Sequence, residues 1–249
     1  MNEETTLSQY LRLFDEISSR FKIVTGFYIL YLVAPIYTLI LFEKAVDEFQ
    51  NLLLQAQKEA ASRLIEIIVE NFLVHSITFF CSLFFLALAL LLSANSIKKL
   101  GRILETRAGF ILSITSSILL ILSLLIVIYL LSILPAIAHI LKEQLEAAIQ
   151  SENTIIQLKI PYILEELIFV DQVLLTLVIL VKGISLRYLI EESELLQYMK
   201  TGAILLIIGG CIELIEMTLG GLGIGPIIIA LGFLLLTKKK EIEIKQKWK

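Results

Sequence analysis

The sequence predicts an all-α integral membrane protein with six transmembrane helices and two helical hairpins extending outside the membrane. Three observations predict it: an excess of apolar residues, six long apolar runs, and a one-sided distribution of Lys and Arg. Of 249 residues, 57% are hydrophobic and 18% charged, and the mean hydropathy is +0.87. Soluble domains run at about 45–50% apolar and about 25% charged, so much of this apolar surface must face lipid. Two cysteines exclude a disulfide scaffold. The Ile and Leu content excludes intrinsic disorder. A net charge of −3 and a pI near 5.6 exclude a free nucleic-acid-binding domain.

A hydrocarbon core of about 30 Å takes roughly 20 apolar residues per helix. The runs lie at about 22–42, 71–96, 108–134, 164–186, 202–219 and 222–237. Five are long enough. The sixth is short, because Pro226 leaves only Pro226–Thr237 as uninterrupted helix, about 18 Å at 1.5 Å per residue. It must borrow from Leu222–Gly225, or cross tilted and short.

The first 21 residues are acidic where a cleavable signal is basic, so no signal peptide is expected. Leu7, Tyr10, Leu11, Phe14, Ile17 and Phe21 repeat at helical spacing, with Thr6 and Gln9 placed as a capping box. Residues 1–21 thus read as an amphipathic helix on the cytoplasmic membrane face, or as a partner-binding helix. Beyond it come a first hairpin (22–96), a basic loop (97–107), a second hairpin (108–186), a connection (187–201), a Gly-rich third hairpin (202–237) and a basic tail (238–249).

Orientation follows the basic residues. With both termini cytoplasmic, the inside holds Arg12, Arg20, Lys22, Lys98, Lys99, Arg102, Arg107, Arg187, Lys200, Lys238, Lys239, Lys240, Lys245, Lys247 and Lys249. The outside holds only Lys44, Lys58, Arg63, Lys142 and Lys159, and Lys182 falls within a span. The outer face, rich in Glu, is then net acidic and the inner face net basic. A cell-membrane location with both termini inside is the expectation.

The outer connections, 43–70 and 136–163, carry apolar stripes at i, i+3, i+4 spacing. Val46, Phe49, Leu53, Ala56, Ala60, Leu64, Ile67 and Ile68 form one, and Ile140, Leu141, Leu145, Ala148 and Ile149 the other. Both spans should therefore continue outward as helices. Pro35 and Pro135 open similar stretches one hundred residues apart. That likeness reads either as a parallel repeat or as what any two proline-containing hairpins share.

Ionisable groups inside spans are costly and are candidate functional sites by default. His75, Asp171, Glu213 and Glu216 form the candidate intramembrane polar site, with Glu213 and Glu216 at i, i+3 on one face. Carboxylates at that depth suit cation or proton traffic. Against this, Asp171 and Glu216 can reach outer water, and Lys182 can snorkel to the inner interface. Glu213 is the one that depth alone does not explain. Gly209, Gly210, Gly220, Gly221, Gly223, Gly225 and Pro226 read as helix-packing and turn residues of the third hairpin. The run lacks the spacing and lysine of a phosphate loop.

Ser113, Thr115, Ser116, Ser117 and Ser123 should bond between helices or to their own backbone. Cys81 and Cys211 behave as small hydrophobes, and His139 lacks a second His one turn away. No catalytic set, metal site or cofactor is expected, and the chain does not read as an enzyme.

High Ile, Leu, Lys and Glu with little Gln, Pro and Cys resembles thermophilic archaeal membrane proteins. Six spans with two extended external hairpins resemble the polytopic CedA subunit of the crenarchaeal DNA-import machinery. The resemblance covers the chain in size and loop pattern, with no diagnostic motif and no residue to carry over. It implies a non-enzymatic pore-forming or scaffolding subunit with small membrane partners, a separate cytosolic ATPase, a possible homo-oligomer and DNA as cargo. The acidic outer face opposes direct DNA contact, because phosphates are held by Lys and Arg. A small-cation channel or secondary transporter using Glu213, Glu216 and Asp171 is the alternative, and a purely structural membrane protein a third.

Overall fold

Long apolar runs in lipid must satisfy their backbone groups internally, so helices dominate. The computed structural model describes residues 3–55, 57–103, 105–151, 162–192, 199–220 and 223–237. They form α1 (Glu3–Leu54), α2 (Lys58–Ile103), α3 (Arg107–Ser151), α4 (Tyr162–Glu192), α5 (Lys200–Leu219) and α6 (Ile224–Leu236), with no strand among the described residues. Five are long and apolar enough to cross a membrane. α6, at 13 residues, spans only about 20 Å, short of the roughly 30 Å hydrocarbon core.

The helices do not stop where the apolar runs stop. α1 is a single helix of 52 residues, about 78 Å long, joining the N-terminal stretch, the first span and the outer extension. It begins at Glu3, ahead of the Thr6 cap the sequence suggests. Ile17 and Phe21 are 1% and 0% exposed. This end of the amphipathic stripe therefore packs against protein rather than lying open to the membrane surface. The side chains of Leu7, Tyr10, Leu11 and Phe14 lie outside the described residues. Pro35 and Pro135 sit inside continuous helices. Each removes one backbone hydrogen bond, and Thr38 donates its hydroxyl to the Pro35 carbonyl at 3.0 Å.

The chain divides into two compact units that cut across α1–α4. The first comprises Met1–Ile29, Phe85–Leu124 and Asp171–Lys249. In it Ile17, Phe21, Val24 and Tyr28 form one buried stripe of α1. Phe233 of α6 seats on that stripe, with ring centroids 6.1 Å from Phe21 and 5.4 Å from Tyr28. α5 and α6 approach through glycines seven residues apart on each helix. A Cβ added at Gly209 would lie 2.7 Å from Ile229 Cγ1, and one at Gly225 would lie 2.6 Å from the Glu213 backbone nitrogen. Gly202 and Gly232 meet in the same way one heptad further along the pair. With no hydrophobic force between helices in lipid, such close backbone contact is what holds the hairpin.

The second unit comprises Leu30–Phe84 and Leu125–Val170. Its core takes Phe49, Ile68, Leu141 and Leu145 from the expected outer stripes and adds Ile65, Phe72, Leu134 and Ile137, whereas Ile67 and Ile140 of those stripes are exposed. The rings of Phe42 and Phe72 lie 5.8 Å apart. The hairpin extensions are thus helical from α1 to Leu54 and from α3 to Ser151. Residues 152–161, the connection 193–198, the tail 238–249 and Gly221 lie outside the described residues.

Candidate functional site

α4 carries the two ionisable groups most deeply held in the first unit. Asp171 is 0% exposed and Lys182 is 1% exposed. Eleven residues is three helical turns, so both lie on one face, about 16 Å apart along the axis. The Ser123 hydroxyl of α3 is the polar group at the Asp171 carboxylate, whose oxygens have no other hydrogen-bond partner among the described residues. Lys182 Nζ donates to Ser93 Oγ of α2 at 3.0 Å, and no carboxylate pairs with it among the described residues.

Lys182 is buried among the helices, with its amine directed to Ser93 of α2 rather than out of the protein. The amine is committed to the interior.

Hydroxyl groups connect these levels. The Ser185 hydroxyl donates to the Gly109 carbonyl at 3.0 Å, and with the Ser123–Asp171 approach this fixes α3 and α4 in one antiparallel register. Between those points α3 buries Ser116 and Ser113. Ser113 donates to the Ala94 carbonyl of α2 at 2.8 Å, and Ser116 to the Ser113 carbonyl at 2.9 Å. The serine-rich face of α3 is therefore an interior seam shared with α2 and α4. Sequence reasoning gave these serines helix-to-helix or backbone bonding, and both kinds occur. It did not place Lys182 among them.

Glu213 and Glu216 share a face of α5 but serve differently. Glu213 is 8% exposed, pressed against the α6 backbone at Gly225, with Thr176 of α4 nearby. Its Oε2 has no hydrogen-bond partner. Glu216 is a cap. Its two carboxylate oxygens accept the backbone N–H groups of Ile224 and Gly225, each at 2.9 Å. These are orphan donors of the first turn of α6, and the negative charge suits the helix N-terminus. Gly223 precedes that turn at φ 72°, and Gly220 closes α5 at φ 72°, both in the region where glycine is free of the Cβ penalty. Pro226 follows as the third residue of α6, where a missing N–H costs nothing.

His75 belongs to the second unit. Its Nδ1 and the Thr38 hydroxyl are 2.9 Å apart, linking α2 to the Pro35 turn of α1. Of the four groups predicted as one polar site, Asp171, Glu213 and Glu216 belong to the first unit and His75 to the second. Gly209 and Gly225 pack α5 against α6, while Gly210 packs against Leu180 of α4, where a Cβ would meet Leu180 Cβ at 3.2 Å. Among the described residues no group of three or more His, Cys, Asp or Glu side chains could hold a metal ion.

Compared with protein-family models, curated proteins and solved structures, the chain matches none.

Proposed function

We propose that this chain is a multi-pass membrane protein that carries small cations or protons past its buried carboxylates. The observation that carries this reading is Asp171, fully buried with only the Ser123 hydroxyl at its carboxylate among the described residues. Glu213 offers an unpartnered carboxylate oxygen. Lys182 supplies an interior positive charge on the Asp171 face of α4. A carboxylate with open acceptor sites in a hydroxyl-lined interior is the chemistry that binds a proton or replaces part of a cation's hydration shell.

The topology that goes with this reading has six crossings and both termini cytoplasmic, in the cell membrane. α6 makes a short crossing by local thinning of the bilayer, and the basic 238–240 segment follows it. Purified protein in liposomes tests the reading. Vesicles holding it should dissipate a proton, Na+ or K+ gradient at least about tenfold faster than empty ones. Rates equal to those of empty vesicles for all three ions refute it.

A second reading is supported by helix length. α1, α2 and α3 have 52, 46 and 45 residues, about 68–78 Å each, more than twice the hydrocarbon thickness. Helices that tall suit a pore or scaffold subunit of a larger translocation machine. DNA import with small membrane partners and a separate ATPase is then the version the CedA resemblance implies. Deleting the gene and measuring DNA transfer between cells tests it. Unchanged marker exchange excludes it.

A further inference from the structure

We infer that the turn between α2 and α3 is a binding site for the phosphate of an anionic phospholipid. Two cations converge there on one aromatic ring. Lys98 Nζ lies 5.7 Å and Arg102 Cζ 5.3 Å from the centroid of Phe110. They are one helical turn apart on α2, so both charges face the first turn of α3.

The turn is built rather than loose. The Thr106 N–H donates to the Gly101 carbonyl at 3.0 Å, and the Phe110 N–H to the Thr106 carbonyl at 3.1 Å. Glu105 takes φ 55° between them. A Cβ at buried Gly101 would stand 3.3 Å from the Phe110 nitrogen, so the missing side chain is what lets the α3 backbone, and with it the ring, come this close to α2.

Among the described residues neither cation is neutralised by a carboxylate. Glu16 takes Arg20 at 2.7 Å and Lys99 at 3.9 Å. The nearest acid in sequence, Glu105, is exposed on the same turn, and Arg107 next to it adds a further positive charge. The ring face attracts both cations but leaves their mutual repulsion in place. An anion bridging them removes it, and a phosphate oxygen pair fits a guanidinium and an ammonium together.

Depth identifies the source of that phosphate. The exposed apolar stripe of α3 begins at Ile111, next to Phe110, and continues through Ile118, Ile121 and Leu122. Leu92 of α2, also exposed, lies on the same side of the two cations. The cations thus sit just beyond the edge of the lipid-facing surface, at headgroup level, where basic side chains meet anionic lipids. Acyl chains of a lipid held there would run along the Ile118–Leu122 surface.

The test is native mass spectrometry of the full chain, delipidated in detergent and titrated with phosphatidylglycerol or phosphatidylcholine. Wild-type protein should bind phosphatidylglycerol at least about tenfold more tightly, a preference that falls as salt rises. The double variant Lys98→Gln/Arg102→Gln should lose that preference, and Phe110→Leu, which keeps both charges, should weaken it. Replacing Lys238, Lys239 and Lys240 with Gln should leave it intact. Equal binding of the two lipids by wild type overturns the inference, as does a double variant that is monodisperse and retains the preference. Full displacement of lipid by millimolar inorganic phosphate also overturns it, by showing a site for free phosphate. If the double variant does not fold, Phe110→Leu and the salt dependence of wild type still decide.

Discussion

Replacing Lys182 with methionine should make this protein more stable. The Lys182 side chain is 1% exposed and, among the described residues, its amine bonds only to the Ser93 hydroxyl. Placing a lysine in a membrane interior costs about 3 kcal/mol, and its one hydrogen bond returns about 2 kcal/mol. Methionine fills nearly the same volume without the charge. Ser93 keeps a partner after the change, since its hydroxyl already donates to the Leu90 carbonyl at 2.7 Å. The net gain is about 1 kcal/mol, or about 2–4 °C in apparent Tm for a chain of this size. The assay is thermal loss of helical circular dichroism for both proteins in the same detergent at the same scan rate. An apparent Tm that falls by a similar amount would refute the reasoning, because it would make Lys182 an anchor of the fold rather than a charge kept against the fold's interest.

Three further substitutions probe the α5–α6 hairpin and its seat. Glu216→Ala removes the acceptor for two N–H groups of α6 and should cost about 1–2 kcal/mol. A lower apparent Tm with loss of hydrogen-exchange protection confined to α6 would show it. Gly225→Ala forces a methyl to within 2.6 Å of the Glu213 backbone, which a rigid neighbour cannot relieve. It should cost about 1–3 kcal/mol, measured in the same melt. Phe233→Ala empties the position between Phe21 and Tyr28. It should cost about 3–5 kcal/mol, the largest drop of the set.

Much of this was legible in the sequence, and the exceptions share a cause. Apolar runs located the five long helices, and Pro226 with its glycines marked the sixth as short. Stripes such as Phe49–Ile68 and Leu141–Leu145 predicted helical extensions because period 3.6 survives where hydropathy falls. Hydropathy did not show where helices end. The run ending near residue 186 put Lys182 close to water, whereas the folded chain buries its amine against Ser93. The boundary drawn at residue 21 likewise has no counterpart in continuous α1. Glu213 and Glu216 looked alike because i, i+3 spacing places both on one face. Their roles separate only through the φ 72° turn at Gly223, which brings the α6 N–H groups under Glu216. Two cations over Phe110 depend on a fold-back at Gly101 that no periodicity encodes.

In the proposed function Asp171, buried with the Ser123 hydroxyl at its carboxylate, takes up the cation or proton. Asp171→Asn preserves the shape of the side chain and removes its charge. In proteoliposomes holding equal amounts of each protein, the variant should show ion flux at least about tenfold below wild type with an apparent Tm no lower. Flux within about twofold of wild type would contradict the account and leave Asp171 as a packing residue.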